Sequence, residues 1–193
     1  MKILRAADYK VMPWKNGGGT TTEIAVSPQG AGLDDFDWRI SMARVETSGP
    51  FSSFTGIDRT LSVLEGEGIV LDIAGQPQAR LTAASAPLSF PGDVPTSAAL
   101  IGGPITDLNV MTRRGRIAHT VERISVSGML EIEPVADTTL VLVAGDSIFT
   151  HGTATLGPLD TAIIDRNSPE LRLRSEGQGL LFVVKLNATA ANR

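Results

Sequence analysis

Two arginines, each set in a short apolar run, are the residues best placed to do chemistry. Arg39 lies in 37-DWRISMARV-45 and Arg59 in 59-RTLSVL-64. A guanidinium keeps its charge and offers a planar fork of donors that matches a carboxylate. Around them the sequence supplies Lys15, Asn16, Glu23, Ser41, Asp107 and Asn109. Cations, amide donors and carboxylate partners of this kind suit the binding of a small anion. Glu23 or Asp107 could instead act as a general base. There is no cysteine, so thiol nucleophiles, disulfides and thiolate metal sites are excluded. The two histidines, His119 and His151, read as structural or surface residues, because a metal needs several convergent ligands. No metal or other cofactor is expected.

The triple glycine of 13-PWKNGGGTTTEIA-25 invites a phosphate-loop reading and fails it. A P-loop puts its lysine after spaced glycines, at the start of a helix. Here Lys15 precedes the glycines and a strand-like segment follows them. A dinucleotide fingerprint fails because no helix N-terminus is on offer for the pyrophosphate. Trp14 and 22-TEIAV-26 flank the glycines too closely for a linker. What remains is a tight loop whose glycines let the backbone approach another surface. That surface is either the protein's own rim, with Trp14 as a packing anchor, or a pocket to which Lys15 and Asn16 offer donors.

The elements that must position these residues are strands. Short runs rich in Val, Ile, Leu and Thr recur between Gly, Pro, Asp and Asn, including 22–26, 37–45, 59–64, 68–73, 107–111, 117–126, 139–145, 161–165, 171–174 and 179–186. No segment carries a sustained helical period. The pattern predicts an all-β, mostly antiparallel protein, with one short helix or turn around 92–100.

Alternation sorts the candidates by face. It sets Arg39, Ser41 and Ala43 against Trp38, Ile40, Met42 and Arg44, and the second set is the natural core face. On an isolated strand Arg39 would point to solvent; inside a barrel both faces can be buried, and Arg39 then lines a polar cavity. Arg59, Leu61 and Val63 share a face, as do Asp107, Asn109 and Met111. Asp107 and Asn109 need partners if buried, and they would contact a ligand or orient the arginines. Glu23 is a partner for an arginine or an acid–base group. Arg59 could equally form a structural pair with Asp58 or Asp107. The basic 113-RRGR-116 reads as a solvated turn.

The chain has 193 residues, enough for one large domain or two small ones, with 42% hydrophobic and 20% charged residues. A net charge of −4 argues against a nucleic-acid partner. No apolar run approaches the roughly 18 residues of a membrane span, and MKILRAADYK lacks a signal-peptide core, so a cytoplasmic protein is expected. Residues 59–111 are echoed in 139–186, each with an apolar strand, a Gly turn, a second strand, a Pro/Asp connection and a closing strand. The echo predicts two similar units, 1–114 with the pocket and 115–193 as a scaffold or dimerisation unit, joined through 113–125. The second unit shows no comparable polar cluster. A homodimer is expected, since exposed sheet edges need cover. The tail 187–193 is expected to be loosely ordered.

This duplicated pattern resembles a cupin, or double-stranded β-helix. The run 62-SVLEGEG-68 resembles the turn of the first cupin motif and 90-FPGD-93 the start of the second. A metal cupin would place two His and a Glu before that turn and another His after the Pro-Gly segment. Neither 49-GPFSSFTGIDR-59 nor 94-VPTS-97 holds a histidine. Arg59 falls near the Glu ligand position, which inverts the charge of the site and suits a carboxylate ligand. More narrowly, WKNGGGTTTEIA, FDWRIS, GPFSSFTGIDRTLSVLEGEG, FPGD and GPITDLNVMTRRG, in that order, resemble the bacterial HutD/Ves family. Thr55 stands where a proline is common. The resemblance implies a metal-free bicupin, linked to histidine utilisation, that binds a small pathway metabolite and restrains the pathway. It moves the glycine loop toward the pocket reading. The candidate ligands are urocanate, formiminoglutamate and N-formylglutamate. The alternatives are an enzyme acting on such an intermediate and an interaction module without a ligand.

Overall fold

The structure is a computed structural model, and it describes residues 1–190. Strands carry the fold: β1 (Lys2–Leu4), β2 (Lys10–Pro13), β3 (Gly19–Ser27), β4 (Trp38–Val45), β5 (Gly49–Pro50) and β6 (Ile57–Glu65) come first. They are followed by β7 (Ile69–Ile73), β8 (Ala79–Leu81), β9 (Leu88–Pro91), β10 (Thr96–Leu100) and β11 (Ile105–Arg113). The remainder is β12 (Ile117–Ile132), β13 (Thr138–Ala144), β14 (Phe149–His151), β15 (Ala154–Leu156), β16 (Thr161–Asp165) and β17 (Leu171–Ala188). Among the described residues the one helical element is a 3-10 turn, Ala6–Asp8. The all-β expectation holds, and the strand pairings are antiparallel. Of the short helix or turn expected around 92–100, a turn is present at Gly92 and Asp93, while Thr96–Leu100 is strand β10, paired with β7. Its Thr96 and Ala98 are buried while Ser97 and Ala99 are exposed, so period two prevails over the helix preference of alanine.

One compact unit spans Lys10–Arg116. It contains a six-stranded sheet, in the order β2-β3-β4-β11-β6-β9, and a four-stranded sheet, β5-β10-β7-β8. Ala43, Val45, Leu61, Val63, Phe90 and Ile105 of the larger sheet pack on Ile69, Leu71, Ile73, Leu81 and Ala98 of the smaller. Apolar burial of this kind, about 25 cal/mol per Å², is what drives the two faces together. The face of β4 assigned to the core by its large apolar groups is buried, with Ile40 at 2% and Met42 at 5% exposure. The opposite face, with Arg39 at 6%, is buried too, so Arg39 does not point to solvent.

The other unit is Met1–Tyr9 with Ile117–Arg193. Sequence places the first nine residues with the N-terminal unit, whereas β1 lies antiparallel to β16. Arg5 reaches Asp160 at 2.7 Å and the Tyr9 hydroxyl donates to the Leu159 carbonyl at 2.8 Å. Burial pushes the Tyr9 phenol up to about 12. The sheet order is β1-β16-β13-β17-β14-β15, with β12 also along β17. Its core is Val141, Val143, Phe149, Leu156, Ile164, Leu173 and Val183 with their neighbours. The runs 171–174 and 179–186, expected as two strands, form the single strand β17, irregular opposite Ser127 and Gly128. Gly179 lies under the Phe149 ring, where a Cβ would come within 2.4 Å. Of the tail, Asn187 and Ala188 end β17, and 191–193 lie outside the described residues.

The basic segment 113–116 is not a merely solvated turn. Arg113 donates to the carbonyls of Asp34 and Phe36, Arg114 bridges Asp58 and Asp93, and Arg116 meets Asp37 at 2.6 Å. Asp93, from the FPGD run, also accepts from the Gly56 N–H. The hydrogen bonds of Arg114 hold the Asp93 carboxyl down to about 2.

Candidate functional site

Four adjacent strands of the six-stranded sheet bring most of the candidate residues onto one buried face. Ser41 of β4 lies opposite Glu23 of β3 on one side and Asn109 of β11 on the other. Met111 of β11 stands between Arg39 and Arg59, so the two arginines leave the sheet two strands apart, about 10 Å at the backbone. A register shift in β3 between Glu23 and Ala25 leaves Glu23 diagonal to Arg39. The Arg39 Nε donates to Glu23 Oε2 at 2.8 Å, and its terminal nitrogen reaches Ser41 Oγ at 3.5 Å.

Arg59 is held differently. Its Nε donates to Asn109 Oδ1 at 2.6 Å, and the Asn109 amide in turn donates to Asp107 Oδ1. The guanidinium lies over the Phe51 ring, 4.4 Å from the centroid, with Phe90 at 5.7 Å. Such stacking favours a cation on an aromatic face. The two terminal nitrogens of Arg59 have no hydrogen-bond acceptor among the described residues. Burial lowers the guanidinium to about 10, with Asp107 opposing the shift and Arg39 adding to it. Asp107, at 1% exposure, is pushed up to about 7 by burial, against the pull of Arg59 and a backbone hydrogen bond with Ala43. Neither structural pair considered for Arg59 forms as a direct bond: Asp58 is taken by Arg114, and Asp107 is reached through Asn109.

Lys15 and Asn16 are not part of this network. They sit on the hairpin between β2 and β3, where Gly19 lies opposite Val45, about 20 Å along the sheet from Arg39. Asn16 turns back to accept from the Gly18 N–H at 3.0 Å, and Lys15 is exposed without an ion pair among the described residues. The glycines press on the protein itself. A Cβ on Gly19 would fall 2.1 Å from the Arg44 carbonyl oxygen, and one on Gly18 2.8 Å from Thr47 Oγ1. Trp14 anchors the loop, with Nε1 donating to Thr21 Oγ1 at 2.8 Å. The packing reading of the glycine run therefore prevails over the pocket reading.

Sequence reasoning missed Phe51 and Phe90. Phe51 belongs to the same 49–59 run that holds Arg59, and an aromatic close in sequence to an arginine of an apolar strand is the signal that could have found it. A wide cleft of about 690 Å³ opens elsewhere, lined by Ser127, Gly128, Thr150, Arg174 and Glu176. Its charged side chains are exposed, and its buried Ser175 hydroxyl is spent on the Gly177 carbonyl, so nothing buried converges on a ligand there. His151 Nδ1 lies 2.9 Å from the Arg172 carbonyl oxygen, a structural contact.

The residues of the arginine face do not fit a metal. Two guanidinium groups, an amide and a hydroxyl surround carboxylates already bonded to them. Among the described residues no three His, Asp or Glu side chains converge. Among the described residues no helix is long and apolar enough to cross a membrane.

The fold and this face define an all-β protein of cupin-like fold with two arginines on one face of its six-stranded sheet. The HutD family model matches residues 6–183, and the chain belongs to the HutD family. It is 36% identical over 186 residues to an uncharacterized 21.2 kDa protein of the hutC 3' region of Pseudomonas putida, covering 94% of this chain and 96% of that one. Protein Ves of Citrobacter koseri is 38% identical over 113 residues, 56% of this chain and 58% of its own. A conserved protein of unknown function from Pseudomonas aeruginosa superposes with a TM-score of 0.87 at 35% identity, covering 96% and 98% of the two chains. HutD from Pseudomonas fluorescens, solved in a formate condition, gives 0.82 at 35%, covering 98% and 99%. The pirin YhhW of Escherichia coli and an oxalate decarboxylase of Bacillus subtilis, at 10% and 9% identity with TM-scores of 0.69 and 0.66, share the fold alone.

Proposed function

We propose that this protein is a metal-free binder of a small carboxylate metabolite of histidine degradation, urocanate, formiminoglutamate or N-formylglutamate, and that it restrains or tunes histidine utilisation. The observation that carries the reading is Arg59. It is fixed at Nε by Asn109, stacked on Phe51, and left with two terminal nitrogens that meet no acceptor among the described residues. A carboxylate accepts two parallel bonds from such a fork. Arg39 is engaged by Glu23 at Nε and reaches Ser41 Oγ from one terminal nitrogen at 3.5 Å, and it adds a second positive charge beside the site. The formate condition of the Pseudomonas fluorescens relative makes formate the natural smallest probe. A cytoplasmic homodimer belongs to the same reading, and light scattering on the pure protein tests the dimer.

The test is a thermal-shift and calorimetric screen with formate and the three metabolites, with and without EDTA. A ligand that binds the native state stabilises it by RT ln(1 + [L]/Kd), about 2.7 kcal/mol at a hundredfold excess. We expect at least one carboxylate to raise Tm, indifferent to EDTA, and Arg59→Gln to abolish the shift. Unchanged affinity in a folded Arg59→Gln variant would sink the proposal. One observation favours the enzymatic alternative: a carboxyl near 7, as in Asp107, suits a general base. Turnover of N-formylglutamate by the pure protein, lost in Asp107→Asn, would establish it.

A further inference from the structure

The charges on the arginine face come in pairs, so each guanidinium already has a carboxylate to offset it. Glu23 from β3 offsets Arg39 from β4, at 2.8 Å. Asp107 from β11 offsets Arg59 from β6, through the amide of Asn109. The sheet packed against them adds no compensating charge. Its inward side chains are Ile69, Leu71, Ile73, Leu81 and Ala98, and its Asp72 and Arg80 are exposed. Strand β9 contributes Phe90, and Phe51 closes over the guanidinium. Directly across the sheet from Asp107 stand Ala43 and Val63, both apolar and buried. A carboxylate arriving at the free donors of Arg59 would therefore bring a second negative charge to a half-buried guanidinium that Asp107, itself buried, already offsets. Burying an uncompensated charge is costly, and the group that can lose its charge does so.

We propose that the site takes up its anion together with one proton, and that the proton goes to Asp107. The proton comes from solvent, the carboxylate of Asp107 becomes a carboxylic acid, and the anion replaces it as the counter-charge of Arg59. The interior carries the same net charge before and after. Asn109 keeps both of its bonds throughout, since a protonated carboxyl still presents an acceptor oxygen to the amide. The mechanism rests on the reading of Arg59 as a carboxylate site. It makes the affinity for monocarboxylates depend on pH around neutrality, although the ligand itself does not titrate there. The free-site value of Asp107, about 7, sets the range.

The experiment is isothermal titration calorimetry of the full chain with formate and with acetate, both monoanions throughout, from pH 6 to 8.5, in pairs of buffers that differ in ionisation heat. Linkage predicts a Kd that rises about tenfold between pH 6 and pH 8, with uptake approaching one proton per anion at the upper end. Asp107→Asn, which cannot ionise and keeps the shape, is expected to bind with the same Kd at both ends of the range. The wild-type proton count decides the matter independently of that variant. Binding with a flat Kd and no proton uptake would overturn the coupling and leave the carboxylate site standing. No binding of either anion at any pH would remove the site, and the coupling with it.

Discussion

Arg59 is held on two sides and open on the third. Asn109 fixes Nε, Phe51 fixes the plane, and no acceptor among the described residues meets the fork. Charge alone does not reproduce this arrangement. A lysine offers a point charge without the planar fork and cannot keep the Asn109 bond in the same geometry. Arg59→Lys is therefore expected to weaken formate binding tenfold or more, about 1.4 kcal/mol at least, by calorimetry at pH 6.5. Equal affinity would show that the fork is irrelevant. Asn109→Ala removes the link between Arg59 and Asp107, and a broken buried bond costs about 1–3 kcal/mol. A urea titration is expected to show that loss. Six of the candidate residues were legible in the sequence because strand alternation is a local property. Arg39 and Ser41, or Asp107 and Asn109, two apart on one strand, must share a face. Phe51 was not legible, because its place over Arg59 depends on how the chain returns through β5. Lys15 and Asn16 carried the right chemistry in the wrong place, since the strand pairing of β3 with β4 sets their distance along the sheet.

At the scale of elements, the hairpin of β2 and β3 shows what the triple glycine does. Gly19 lets the chain lie against β4, where an added Cβ would fall 2.1 Å from the Arg44 carbonyl oxygen. That oxygen is backbone and cannot swing aside. Gly17 has φ of +71° and open space around it, so only the left-handed conformation resists substitution there. Gly17→Ala is then expected to cost about 1–2 kcal/mol. Gly19→Ala is expected to cost more, because β3 and β4 must separate at their Gly19–Val45 pair, and overpacking alone runs to about 1–3 kcal/mol. Denaturant midpoints of the two variants give the order, and a milder Gly19→Ala would contradict the packing account. Long alternating strands such as β4, β6 and β11 were readable from pattern. Strands of two or three residues, such as β5, β8 and β14, hold too few side chains for a period to show. Strand β10 was misread because the alanines that fit beside β7 also suit a helix.

The division of the whole molecule shows the limit of local reading most plainly, since nothing in MKILRAADY announces that β1 will pair with β16. Asp160 explains the return: it accepts from the Ala6 and Gly157 N–H groups and pairs with Arg5, contacts that lower its pKa against the opposing effect of burial. Asp160 and Asp107 bend the stability of the molecule with pH in opposite senses. A carboxyl with a lowered folded pKa, as in Asp160 or Asp93, contributes stability above its unfolded value near 3.8 and loses it as pH falls. Asp107 is raised, so its contribution is fully present below about 3.8 and is lost as pH rises through about 7. At pH 4 the wild-type Asp107 is already protonated and resembles an asparagine. At pH 8 it is ionised, buried and compensated only by Arg59. Melting temperatures of wild type and Asp107→Asn are therefore expected to lie close together at pH 4. They are expected to diverge through pH 7, with the variant the more stable above it and the gap level beyond pH 8. A gap of constant size across that range would mean that Asp107 stays ionised in the fold at every pH, and that Arg59 compensates it completely.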